Sequence, residues 1–196
     1  TPLSILTEVN ITKKLPEKFV CIIPNSKMLN NKPDDFKQSY IQLLTKIIKI
    51  VKAKSLTPII LNHEGEKDRL LCLELINTYK GDVIFFDGLE SLEIKKIIGL
   101  SFFCFSSRFH GCISGLSQGV PTFATSWSHK YEELYEDYQS TDNLIDVEIN
   151  ESDLKIKIGH VINERESVSK ELLEIAQKHK VKNNQMWSKI FEKIDL

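Results

Sequence analysis

The 196-residue sequence contains no unbroken apolar run near the ~18 residues needed to span a bilayer, and its longest apolar segments are interrupted by lysines, as in LLTKIIKIVK. A membrane-spanning helix is therefore not expected. The chain also lacks an excess of either charge. Its 26 basic and 27 acidic residues leave a formal net charge of −1, so no overall field draws it toward nucleic acid. Cysteine is sparse: Cys21, Cys72, Cys104 and Cys112 form no C-x-x-C pair, which removes the usual spacing of a zinc ribbon or a thioredoxin-like site. No metal ligand set is expected. Three of the four lie within apolar runs, where a free thiol acts as a small buried hydrophobe in a reducing compartment such as the cytosol. The G-x-G-x-x-G and Walker A patterns are missing as well, so the usual dinucleotide and P-loop NTPase readings lose their main support. There is no signal-peptide pattern, internal repeat or low-complexity tract. Thr1 in place of an initiator methionine is read as the start of a processed form or of a piece of a longer polypeptide, with residues 1–18 as a linker leading into a domain over 19–196.

What is present is ordinary globular composition, 41% apolar and 27% charged, enough for one well-buried domain. Short continuous apolar runs alternate with longer amphipathic segments, the signature of a parallel sheet covered by helices on both faces. Five strands are predicted at 19–24, 57–62, 82–86, 102–106 and 121–126. Tyr40, Leu43, Leu44, Ile47, Ile48 and Val51 repeat at helical spacing after Asp34, an N-cap type residue. A second helix carries Leu70, Leu71, Leu73, Leu75 and Ile76. NLIDV (143–147) reads as an edge strand, and residues from Glu151 onward as mostly helix. The fold class is α/β, a Rossmann-like parallel sheet.

In such sheets ligands bind beyond the carboxyl ends of the strands. Those ends carry Asn25, Ser26 and Lys27; His63 and Glu64; Asp87 and Gly88; Ser106 to His110; and Ser126 to Lys130. The segment SSRFHGCISGLSQGVPTFA (106–124) is the most informative. A buried strand ends in two serines and passes through Arg108 and His110 into a helix, whose N-terminus favours anions, with Arg108 adding a permanently charged fork. Ser106 or Ser107 suits the N-cap, and Gly111 and Gly115 allow close approach to the sheet. The blander reading makes the serines a cap, Arg108 a salt-bridge partner and His110 a surface residue. The segment LNHEGEKDR (61–69) reads as an exposed acidic turn with Asp68 early in a helix.

The combination Ser106-Ser107-Arg108-Phe109-His110, Gly119-Val120-Pro121 and Lys130 resembles the polysaccharide pyruvyl transferases, loosely from Phe19 to about Leu134. The resemblance implies one half, the donor-binding half, of a GT-B-like enzyme whose missing N-terminal domain supplies the acceptor side. It implies phosphoenolpyruvate as donor, with no cofactor, and a sugar or lipid-linked glycan as acceptor. It further implies His110 as general acid, with Arg108, Lys130, Ser107 and Asn25 binding substrate. Family members often carry a basic residue just after the first strand. Here the sequence has Asn25-Ser26-Lys27, with Lys27 as the substitute. Two alternatives stay open: a nucleotide-sugar glycosyltransferase half with Glu132 or Glu133 on the ribose, and a non-catalytic binding or scaffolding module.

Overall fold

The computed structural model describes residues 6, 14–125 and 128–194. Five parallel strands, β1 (Phe19–Ile23), β2 (Thr57–Leu61), β3 (Ile84–Phe86), β4 (Phe103–Ser106) and β5 (Thr122–Phe123), form one sheet in the order β3-β2-β1-β4-β5. Seven helices accompany them among the described residues: α1 (Asp34–Ala53), α2 (Gly65–Tyr79), α3 (Ser91–Leu100), α4 (Phe109–Leu116), α5 (His129–Asp137), α6 (Glu151–Asn163) and α7 (Arg165–Ile194). Every paired strand runs parallel, so all carboxyl ends meet one edge, as the alternation of patterns predicts.

The central strand shows why the apolar runs are continuous. Val20 and Ile22 join Ile60, Phe103, Phe105 and Phe123 in a core covered by the apolar face of α1 and by Leu154 and Ile158 of α6. Phe19, Cys21 and Ile23 point the other way, onto Ile94, Ile97 and Ile98 of α3. All five residues of β1 are buried, and a strand buried on both sides has no polar position to alternate with. A third cluster joins Cys112 and Leu116 of α4 to Tyr131 and Tyr135 of α5 and Leu172 of α7. All four cysteines are free and buried; for Cys21, Cys72 and Cys104 this is what their apolar contexts predict, and Cys112 joins them from the buried face of α4.

Several expectations are corrected. Segment 143–147 is not an edge strand; Leu144 makes an isolated parallel bridge to Ala124 and the chain then turns away. The fifth strand is only two residues long, because Pro121 precedes it and the chain leaves the sheet beyond Ala124. The N-cap of α1 is Pro33, and Asp34 and Asp35 occupy the first turn, where carboxylates favour the helix dipole. Of the apolar residues expected on the second helix, Leu71 and Leu75 are buried and Leu70 is exposed. Most of the linker reading for residues 1–18, together with Ser126 and Trp127, lies outside the described residues.

Candidate functional site

Strand order reverses between β1 and β4, where Ile23 pairs in register with Ser106. This is the position at which open α/β sheets form a ligand crevice. Asn25 and Ser107, both expected to bind substrate, follow these strand ends and are almost fully buried. Asn25 Nδ2 donates to the Ser107 carbonyl at 2.7 Å, and Asn25 Oδ1 accepts from the Lys27 amide at 2.9 Å, capping the short 3-10 turn Ser26–Leu29. The Asn25 amide donates to the Tyr40 hydroxyl, which in turn donates to Ser107 Oγ at 2.7 Å. Ser107 Oγ also pairs with Thr125 Oγ1 at 2.6 Å, and Tyr131 donates its hydroxyl to the Ser107 carbonyl. These side chains fasten β1, β4, α1 and α5 together at the switch point.

Above this layer stands a charged one. Asp68, in the first turn of α2, has a fully buried side chain. Its Oδ1 accepts from the amide and the hydroxyl of Ser26, at 2.9 and 2.7 Å. Its Oδ2 accepts from Arg108 Nε at 2.6 Å. Arg108 Nη1 donates to Glu64, whose side chain is 63% exposed against 10% for the arginine. The fork assigned from sequence to an incoming anion therefore already holds two carboxylates. Burial pulls the Arg108 pKa down, but Asp68 and Glu64 more than offset this and leave it raised. The guanidinium is held charged. The exposed acidic turn expected around Asp68 is corrected on the same ground: a buried carboxylate facing an arginine is part of the interior.

The two serines do not cap α4. Arg108 is the N-cap, in extended conformation with no side-chain capping bond. The Ser106 hydroxyl accepts from the Arg108 amide at 3.1 Å and donates to the Arg108 carbonyl at 2.8 Å, so it ties the turn itself. The glycines behave as expected: a Cβ at Gly111 would overlap the Ser106 hydroxyl, and one at Gly115 would overlap that of Thr122.

His110 lies in the first turn of α4 with an exposed side chain. His63, in the loop after β2, has a buried Nδ1 without a hydrogen-bond partner among the described residues. Its pKa is lowered, first by burial and then by the charge of Arg108, with smaller influences from Glu64, His110 and Asp68. These five residues form one electrostatic cluster. Lys130, in the first turn of α5, places Nζ 4.4 Å from the centroid of the Phe109 ring, and Phe109 packs edge-on against Tyr131 at 5.3 Å. The ring between Arg108 and His110 thus brings Lys130 to the same turn. Lys27 is exposed on the 3-10 turn after β1. Glu132 and Glu133 both pair with His129, at 2.8 and 3.4 Å, and this raises the His129 pKa. Among the described residues no group of three or more His, Cys, Asp or Glu is arranged to hold a metal ion.

Sequence reasoning placed Glu64 at the strand ends without giving it a role, and left Asp68, Tyr40 and Tyr131 out of the site. The readable signal for Asp68 is its spacing: it precedes Leu71, Cys72 and Leu75 by three, four and seven residues, on the buried face of α2. Tyr40 opens the apolar face of α1 in the same way.

Comparison with solved structures finds the same fold in proteins of low identity. A putative UDP-N-acetylglucosamine 2-epimerase from Listeria monocytogenes superimposes with a TM-score of 0.57 at 12% identity, covering 96% of this chain and 48% of that one. The S. aureus MnaA–UDP co-structure gives 0.59 at 12%, covering 92% and 50%. An S. aureus TarM variant in complex with fondaparinux, alpha-GlcNAc-glycerol and UDP gives 0.56 at 15%, covering 98% and 41%. The chain thus spans half or less of the length of these structures, as one half of a GT-B fold does. No curated protein sequence matches it. A family model described as polysaccharide pyruvyl transferase matches residues 6–129. With the whole sheet and the Arg108–His110 turn inside that span, the chain belongs to the polysaccharide pyruvyl transferase family.

Proposed function

We propose that this chain is the donor-binding half of an enzyme that transfers the pyruvyl group of phosphoenolpyruvate to two hydroxyls of a sugar in polysaccharide biosynthesis. The observation that carries the reading is the juxtaposition of a permanently charged, Asp68-anchored Arg108 with His110, two residues on at the carboxyl edge of the sheet. Phosphoenolpyruvate bears a carboxylate and a phosphate close together. Arg108 offers a planar donor to one and Lys130 a second positive charge to the other. His110 donates a proton to the methylene carbon, leaving C2 electrophilic. A sugar hydroxyl adds there and returns its proton to the histidine, phosphate departs from C2, and the second hydroxyl closes the ketal as its proton passes to the departing phosphate. Asn25 and Ser107 serve this site by fixing the floor beneath Arg108 rather than by touching the donor. The acceptor, a sugar or lipid-linked glycan, approaches from an N-terminal domain of the same polypeptide. The four buried free thiols accord with a cytoplasmic enzyme.

A second reading, a half that binds a nucleotide sugar, draws on one feature. A cavity of about 470 Å³ lies between Met28, Phe36 and residues 144–148, with Glu132 on its wall. Thermal-shift titration separates the two: stabilisation by phosphoenolpyruvate supports pyruvyl transfer, and stabilisation by UDP-sugars alone supports the alternative. In the full-length enzyme, His110→Ala lowers kcat by roughly 10²–10⁴-fold while leaving donor affinity nearly intact. Lys130→Ala chiefly raises KM for the donor. A His110→Ala enzyme with near-normal kcat would remove the histidine from the mechanism.

A further inference from the structure

The two carboxylates on Arg108 are not equivalent. Asp68 is fully buried, held on its other oxygen by two donors of Ser26, and rooted in the first turn of α2. Separating it from Arg108 would leave a fully buried carboxylate without its counter-charge, a heavy cost in a dry interior. Glu64 sits one residue before α2, with extended backbone (φ −157°, ψ 108°), and Gly65 after it adopts φ +69°. Its largely exposed carboxylate can leave Arg108 and rehydrate with little loss, since an ion pair of this kind contributes weakly. The guanidinium has five N–H donors. Nε is committed to the fully buried Asp68, whereas Nη1 donates to Glu64, the exposed one of the two carboxylates.

We propose that Glu64 is an exchangeable counter-ion of Arg108, competing with the carboxylate or phosphate of the donor for the outer edge of the guanidinium, while Asp68 remains as its fixed positioning residue. The inference rests on the assignment of Arg108 to the donor. Charge balance gives the reason for the exchange. Arg108 with both carboxylates sums to −1 and repels a polyanion, whereas Arg108 with Asp68 alone is neutral and offers its remaining donors outward. Donor binding and the departure of Glu64 are therefore coupled, and only ligands with enough negative charge to displace a carboxylate are admitted.

Isothermal titration of the 196-residue chain with phosphoenolpyruvate tests this. Glu64→Gln and Glu64→Ala are both expected to tighten binding by roughly 3- to 10-fold, the weight of a partly exposed ion pair together with relieved repulsion. Arg108→Gln is expected to abolish binding. Arg108→Lys retains a charge for Asp68 and separates loss of the fork from loss of the fold. If binding requires Arg108 but both Glu64 variants bind equally or more weakly, Glu64 is no competitor; the exchange is overturned and the donor assignment stands. If no variant shows Arg108-dependent binding, the donor assignment fails and the exchange falls with it.

Discussion

At His63, burial and a neighbouring guanidinium act in the same direction, and both disfavour the imidazolium. A folded-state pKa below the unfolded value means that the unfolded chain takes up the proton first. Stability is complete above the unfolded value, about 6.5, and is lost as the pH falls through it toward the lower folded value. Glu64 and Asp68 oppose this effect and His110 adds to it, so the cluster sets the net slope. Urea midpoints measured from pH 7.5 down to 5 should fall less steeply for His63→Gln than for the parent chain. Identical slopes would show that His63 is not held neutral by its surroundings. The same residue illustrates what the sequence can signal. A histidine at a strand end in an α/β pattern marks the right edge of the sheet, but its burial beside Arg108 and His110, far along the chain, is decided by the packing of the elements.

Among the elements, α4 carries the site and depends most on close packing. It enters directly from β4 and lies against the sheet with Gly111 over Ser106 and Gly115 over Thr122. The helix is short and mostly buried, so it cannot shift outward without uncovering Cys112 and Leu116. Gly115→Ala gains helix propensity of up to about 1 kcal/mol but forces a methyl into the Thr122 side chain. The steric effect wins, and a net destabilisation of about 1–3 kcal/mol is expected from overpacking, measurable by denaturant unfolding. A variant as stable as the parent would mean that Thr122 rotates freely out of the way. The periodicity of α1 was legible because a 20-residue amphipathic helix repeats its signal many times. The two-residue β5 offers no such repetition, and it is bounded by Pro121 before it and by the departure of the chain from the sheet beyond Ala124.

On the scale of the whole molecule, the longest helix extends beyond the domain it belongs to. Val168, Leu172, Ile175 and Ala176 of α7 pack with α4 and α5. Beyond Lys180 every described residue is exposed, although Met186, Trp187, Ile190 and Ile194 continue the same helical face. Trp187 and Phe191 stack on each other at 5.9 Å. Contacts that bury nothing in the domain cannot stabilise it, so removing residues 183–194 should change the unfolding free energy by less than about 0.5 kcal/mol. A larger loss would place the end of α7 against the domain in solution.

The sequence by itself determined the alternation of strands and helices, the parallel direction of the sheet, the edge on which polar residues gather and the Arg108–His110 turn. These follow from short continuous apolar runs, from the 3.6-residue periodicity of the segments between them and from the order of elements and polar clusters along the chain. It also contained the family, because that signature lies within a single continuous stretch. Tertiary structure alone decided the strand order and the fates of the polar side chains. Asn25, Tyr40, Ser107, Thr125 and Tyr131 became a hydrogen-bonded floor, and Arg108 found Asp68 forty positions earlier. The physical reason is one of range. Backbone periodicity is a local property repeated along each element, whereas the pairing of a buried charge depends on which elements stand side by side, and that is settled only when the core closes.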